Sequence, residues 1–435
     1  MATGILRTSG TKIVDAEGNA VLLRGTSLGG WMMMENFMNG FPGRENQIRS
    51  ALLKVLGKDK CDFFFDKFLE YFFTEKDAEY LASLDMNCIR LGFNYHHFED
   101  DMNPFVIKEE GFKHLDRVID IICMPALVAR TKTGTVFSMD FSGFDKVFPN
   151  AVYAIHDYCG FGFPNRIGRY QGLKEQDNYI RRMYDRKVEF MKKHHVPIWN
   201  GEFGPIYERP DFNPDWKVQN DERYEMLDKQ LAIYSSESIA WSIWAYKDIN
   251  IMGMMYLPED TAWMKLLGPI IKKKRDTAVD SWAYDDAHLQ EGLFGPLHKW
   301  FEDNVPPQYS KKYPWQWRMH MHVFRGIRGI TMAEYMIPEW ADYFKDKTLE
   351  ELDELAASWK YENCVQRERL NESLKLYASM KADDKRLDGK VIASESELIE
   401  SKTQGKTTSG VGVFELAPDE KAKQSVNVTP IAVSS

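Results

Sequence analysis

The stretch Val196-Pro197-Ile198-Trp199-Asn200-Gly201-Glu202-Phe203-Gly204-Pro205 sets the architecture. Its first residues are apolar and β-prone, and the run stops at Gly204-Pro205, so it reads as a buried strand with one carboxylate, Glu202, at its carboxyl end between two glycines. On either side lie helical patterns. Ile180, Met183, Tyr184, Val188 and Met191 share one helix face before it, and Tyr224, Leu227, Leu231 and Tyr234 share one after it. Two further strand-like runs bracket those helices, Ala151 to Tyr158 and Ile239 to Tyr246. Strands alternating with amphipathic helices imply a parallel sheet, open or closed into a barrel. In either form the functional groups belong at the carboxyl ends of the strands.

The same grammar extends toward the N-terminus. Ala20 to Leu28 is an apolar run halted by Gly29-Gly30-Trp31. Thr74 with Asp77 makes a capping box that opens a helix through Leu81 and Leu84, and Asn87 to Phe93 follows as a strand. Leu115, Val118, Ile119 and Ile122 fall at helical spacing. The Phe-rich segment Cys61 to Phe73 demands a packing partner. After residue 300 the texture becomes helical, with a second capping box at Thr348 and Glu351. This gives a barrel-like region over 1–300, a helical extension over 301–380 and, from 381 to 435, a Ser-, Thr-, Lys- and Glu-rich tail expected to be disordered.

Composition narrows the function. The 435 residues carry 56 Lys and Arg against 65 Asp and Glu, and a net charge of −9 argues against gripping nucleic acid or an anionic membrane. There are 58 aromatic residues (26 Phe, 20 Tyr and 12 Trp), which serve as core filler or as platforms for sugar rings. Cys61, Cys88, Cys123, Cys159 and Cys364 are odd in number and widely spaced, so neither a disulfide framework nor a zinc module is expected. No apolar stretch is long enough for a membrane span and no leader pattern opens the chain, so a cytoplasmic location is the expectation. Neither His96-His97 nor His320-Met321-His322 has ligand-spaced acids beside it, and no metal or cofactor is expected.

Two other strand ends offer chemistry beside Glu202. His156 and Tyr158 point to one side at i, i+2, and Trp244 lies in line with Ser242 and Tyr246. A carboxylate, a His/Tyr pair and a Trp platform suit a saccharide site, with acid–base chemistry, hydroxyl hydrogen bonds and ring stacking.

The segments Leu23 to Trp31, Asn87 to Leu91, His156-Asp157-Tyr158, Trp199 to Gly204 and Trp241 to Trp244 resemble glycoside hydrolase family 5, the cellulase and exo-β-glucanase family, in a fungal form. The likeness runs from about Ile5 to about Ala287. It implies an α/β fold of the TIM (β/α)8-barrel type and a retaining double displacement on a β-glucoside or glucan. In that scheme Glu202 matches the nucleophile, and Arg90 the arginine that gives it a charge-assisted hydrogen bond. Tyr158 would bond the nucleophile, and His156 a sugar hydroxyl or the acid/base. Trp244, with Trp31, would line the sugar site, and Glu35 would bind glucose hydroxyls.

The resemblance breaks in one place. The family's acid/base glutamate sits in an Asn-Glu-Pro motif that occurs nowhere in this chain. Only the 56 residues from 95 to 150 separate the second strand from the sixth-type strand, where three βαβ units would take roughly 30 residues each. The expectation is an incomplete barrel that lacks its third to fifth strands, with the junction near 123–136. Glu35, Glu99, Asp100, Asp140 and Asp157 are the carboxylates that could substitute for the acid. The alternatives to an active hydrolase are a glycan-binding remnant and an unproductive splice product.

Overall fold

A computed structural model describes residues 4–123, 147–164, 167–279, 287–310 and 332–394. The expected junction at 123–136, Asp140, the His320/His322 pair and most of the 381–435 tail lie outside the described residues.

In chain order, β1 (Arg7–Ser9) and β2 (Lys12–Val14) form a small antiparallel pair. Next come β3 (Arg24–Met32), α1 (Asn36–Asn39), α2 (Glu45–Leu56), α3 (Lys58–Phe72), α4 (Glu75–Ser83), β4 (Cys88–Phe93) and α5 (Phe112–Cys123). From residue 147 onward follow β5 (Tyr153–His156), α6 (Lys174–His194), β6 (Ile198–Glu202), α7 (Trp216–Ser236), β7 (Ala240–Ile243), β8 (Lys247–Asp248), β9 (Met255–Tyr256) and α8 (Ala262–Asp276). The C-terminal part adds α9 (Gly295–Asn304), α10 (Ala333–Asp342), α11 (Leu349–Ala357), β10 (Val365–Gln366) and α12 (Glu368–Ala378).

The main sheet has five strands in the order β4-β3-β7-β6-β5, and every pairing in it is parallel. This is the α/β arrangement that the strand and helix periodicities predict. β3 is buried at all nine positions, as a strand covered on both faces must be. Gly25 is required there, because a Cβ on it would come within 1.7 Å of the Cys88 carbonyl oxygen.

The Phe-rich segment is α3, and its partners come from the far end of the chain. Phe64 stacks on Trp263 at 6.0 Å, and Phe72 stacks on Trp359 at 5.2 Å. The helices of residues 332–394 thus share one core with the sheet. Arg24, at the amino end of β3, is 1% exposed and donates from Nη1 to the carbonyls of Tyr377 and Met380 at 2.5 Å and of Ala378 at 3.1 Å. A cation at the C-terminus of α12 is favoured by the helix dipole, yet burial pulls the guanidinium down to about 10. Leu387 and Ile392, within the stretch expected to be disordered, are also buried. No helix among the described residues is long and apolar enough to cross a membrane.

Candidate active site

The parallel pairing brings residues from four of the five strands to one place. Glu202 is the last residue of β6, and its register partner on β5 is His156, also a last residue. Arg90 projects from β4, and Trp244 directly follows β7.

Glu202 is the focus, its side chain 16% exposed. Arg90 Nη1 donates to Oε1 at 2.7 Å, and the Tyr158 hydroxyl donates to Oε2 at 3.1 Å. His156 Nδ1 lies 3.1 Å from the same Oε2. Burial, followed by the charge of Glu202 and the bond to it, pushes the Tyr158 hydroxyl far above the usual tyrosine range. Tyr158 therefore stays a neutral donor at any physiological pH. Burial is also the main reason that His156 titrates below the usual imidazole range, reinforced by Arg90 and Lys187 and opposed by Glu202. The result is a carboxylate steadied by a cation and a phenol, beside an imidazole that is neutral at neutral pH.

Trp244 packs beneath this cluster. The Arg90 guanidinium sits 5.5 Å from its ring centre, while Met38 and Met252 pack on it, leaving it 3% exposed. Its backbone N–H donates to the Phe203 carbonyl at 3.0 Å, which couples β7 to the segment carrying Glu202. Gly29 makes room for the ring: a Cβ there would fall 2.5 Å from Trp244 Cζ2. Glu35 lies close enough for its charge to act on the Tyr158 hydroxyl. Its backbone N–H donates to Asn39 Oδ1 at 3.1 Å.

Trp31 is the sequence candidate that the structure does not bring to the cluster. It is fully buried, and its indole N–H donates to the Leu69 carbonyl at 3.0 Å, so it fills the core against α3. Of the substitute carboxylates, Glu99, Asp100 and Asp157 are held elsewhere. Glu99 and Asp100 accept backbone N–H groups in the loop after β4, from Phe105 and Met102. Asp157 turns its carboxylate away, onto Lys187 at 2.6 Å. Among the described residues no cluster of three or more His, Cys, Asp or Glu is placed to hold a metal.

Sequence reasoning missed the neighbours of the cluster. Met38 and Met252 carry no motif and find Trp244 only through the fold. Phe163 packs edge-on against Tyr158, with ring centres 5.7 Å apart, and also lines a cavity of about 390 Å³ with Phe161, Tyr207, Phe212 and Arg223. A cavity of that size falls in the range of small-ligand sites.

No family model matches the sequence. The chain is 39% identical to a β-xylosidase of Phanerodontia chrysosporium over 471 aligned positions, covering 87% of this chain and 99% of that protein. The chain belongs to the glycoside hydrolase family of that enzyme. Solved structures give distant likenesses. An endogalactoceramidase aligns at TM-score 0.37 and 11% identity over 56% of this chain and 75% of its own. A β-glucanase of Saccharophagus degradans aligns at TM-score 0.30 and 13% identity over 57% of this chain and 86% of its own.

A carboxylate that accepts from Arg90 and Tyr158 is held in one rotamer with one oxygen bonded to each.

Proposed function

We propose that this glycoside hydrolase is built for retaining cleavage of β-glycosides in the manner of family 5, with Glu202 as the nucleophile. The observation that carries the reading is the pair of donors on Glu202, Arg90 at 2.7 Å and Tyr158 at 3.1 Å, at the carboxyl end of a parallel strand. Arg90, Tyr158 and His156 position the carboxylate, Trp244 supports Arg90 from beneath, and Glu35 would face the sugar. Because the relative at 39% identity is named a β-xylosidase, a β-xyloside is the first substrate to try, with β-glucosides second.

The acid/base partner is the missing half. Retaining enzymes place it about 5–5.5 Å from the nucleophile, and no Asn-Glu-Pro motif supplies it here. The alignment length points the same way. It spans 471 positions, but 87% of 435 residues is only about 378, so on the order of 93 positions of the relative face no residue of this chain. The strand order β4-β3-β7-β6-β5 is what an eight-stranded barrel keeps when its third to fifth strands are removed. That favours, as a second reading, a chain that binds glycans and turns over only activated substrates.

Aryl β-xylosides and β-glucosides with good leaving groups test both, since such leaving groups need little protonation. Turnover abolished by Glu202→Gln, with unactivated disaccharides slower by roughly the 10²–10⁴-fold that a general acid contributes, is the expected result. Absence of any Glu202-dependent turnover on the aryl substrates would overturn the hydrolase reading for this chain.

A further inference from the structure

We infer that Asp157 is a positioning residue that holds His156 and Tyr158 against Glu202, a role that rests on the reading of Glu202 as the working carboxylate. Along an extended segment alternate side chains face opposite ways, so the two groups that reach Glu202 flank one that reaches into the protein. Asp157 is 3% exposed, and every polar atom it owns is engaged. Lys187 of α6 donates to Oδ1 at 2.6 Å, and Tyr234 of α7 donates to Oδ2 at 2.6 Å. Gln230, one turn before Tyr234, donates to the Asp157 carbonyl at 2.7 Å and to Oδ2 at 3.3 Å.

The backbone N–H completes the joint. It donates to the main-chain carbonyl of Glu202 at 2.9 Å and shares the side-chain oxygen of Asn200 at 3.2 Å. Lys187 also donates to the Tyr158 carbonyl at 3.4 Å, so one ammonium grips two successive residues. Two helices therefore fix the carboxyl end of β5, and that end is bonded to the backbone of the nucleophile itself. A buried carboxylate is costly unless paired and fully hydrogen-bonded. Here the satisfied charge stiffens the 156–158 segment at the point where both flanking side chains meet one oxygen of Glu202.

The groups that face His156 are Glu202 from β6, Arg90 from β4, Lys187 from α6 and the Tyr158 hydroxyl. The test is Asp157→Asn, nearly the same shape without the charge, in the full-length chain. The His156 ring is followed by NMR of ¹³Cε1-labelled histidine, assigned with His156→Gln. In the parent protein Glu202→Gln shifts the His156 titration. In the Asp157→Asn background that shift falls to about half or less, because His156 no longer sits against Glu202. On aryl β-xylosides kcat falls by roughly 10- to 100-fold with KM nearly constant, the scale of a small misplacement of reacting groups.

Tyr234→Phe, which removes a single bond to Oδ2, gives a smaller change in the same direction and keeps the test alive if Asp157→Asn folds poorly. An unchanged Glu202-to-His156 shift in both variants would overturn the inference. The NMR readout does not need turnover, so an inactive parent enzyme would count against the proposed function while the positioning role is still decided.

Discussion

Two ion pairs, one at the carboxyl ends of the main sheet and one centred on β8 of the small sheet beside it, are built for different purposes. At the carboxyl end, Arg90 and Glu202 meet at 2.7 Å with side chains 30% and 16% exposed, beside a histidine and a tyrosine. In the other pair, Lys247 and Asp77 meet at 2.5 Å with neither side chain exposed at all. Lys247 also donates to the carbonyls of Phe72 and Trp359, at 2.9 and 3.0 Å, and the Tyr246 hydroxyl donates to Asp77 at 2.8 Å. The second pair has no access for a ligand. It joins the end of α3, the start of α4, β8 and the segment after α11, which makes it a lock between the sheet and the C-terminal helices. The first leaves one face of its carboxylate toward solvent, which a lock would not do.

The largest effect that distinguishes them is in stability. Lys247→Met removes one partner of a fully buried pair and leaves Asp77 and two carbonyls short of a donor, a change worth about 3–5 kcal/mol. Chemical denaturation followed by tryptophan fluorescence is expected to show that loss, because Trp263 and Trp359 pack on α3. A Lys247→Met protein that unfolds at the parent's midpoint would break the contrast. Next in size is Arg90→Met. A hydrogen bond to a charged group is worth roughly 1.5–3 kcal/mol, and here it is spent on orientation. The expectation is a loss of about 10- to 100-fold in kcat/KM on aryl β-xylosides with the denaturation midpoint nearly unmoved. If Arg90→Met instead unfolds the chain and keeps its activity per folded molecule, the two pairs share one role.

How far the sequence exposed each pair follows from the range of the interactions. The strands and helices around Glu202 were legible because their signals are local: a β-prone run ending in Gly204-Pro205, helix faces at 3.6 spacing, and the capping box where Asp77 Oδ2 accepts the Thr74 N–H at 2.7 Å. Glu202, His156 and Tyr158 were found because strand ends in a parallel sheet converge, Arg90 was reached only through the resemblance to family 5, and the structure brings the four together. Trp31 looked equivalent to Trp244 by motif, but α3 packs over it, and α3 showed in sequence only as a Phe-rich run without a partner. The lock was invisible. Lys247 and Asp77 are 170 residues apart, and nothing near either residue announces a buried charge. Asp157 was read as a spare acid because it lies near a strand end, and only the positions of Lys187 and Tyr234 reveal its use.

Gly29 sharpens the same contrast at a smaller scale. Gly29→Ala places a methyl on the Trp244 ring, which is hemmed by Met38, Met252 and the Arg90 guanidinium. Overpacking of this kind costs about 1–3 kcal/mol. Methionines yield more readily than rings, so part of the strain passes to Arg90 and thence to Glu202. The expected signature is a kcat loss larger than the change in stability alone accounts for, read from parallel kinetics and urea melts. A variant with unaltered kcat would mean that Trp244 moves without disturbing Arg90.

The smallest expected effect is a pH response confined to the carboxyl end. His156 titrates below the ordinary imidazole value because its ring is largely buried and faces Arg90 and Lys187. A group whose folded value lies below its unfolded one binds fewer protons when folded, so it stabilises the protein above about pH 6.5 and that contribution drains away as the pH falls below it. His97, drawn down to about 4 mainly by burial, adds a loss of the same sign, so the raw pH curve does not isolate His156. The difference between parent and His156→Gln does. It is expected to be constant above neutrality and to change only below about pH 6.5, in the sense that the parent loses more stability than the variant. Lys247→Arg, at the other pair, is expected to leave that difference untouched, because Lys247 bonds to Phe72, Trp359 and Asp77 and not to the strand ends where Glu202 and His156 sit. A difference curve that altered with the substitution at Lys247 would mean that the two pairs are energetically one unit.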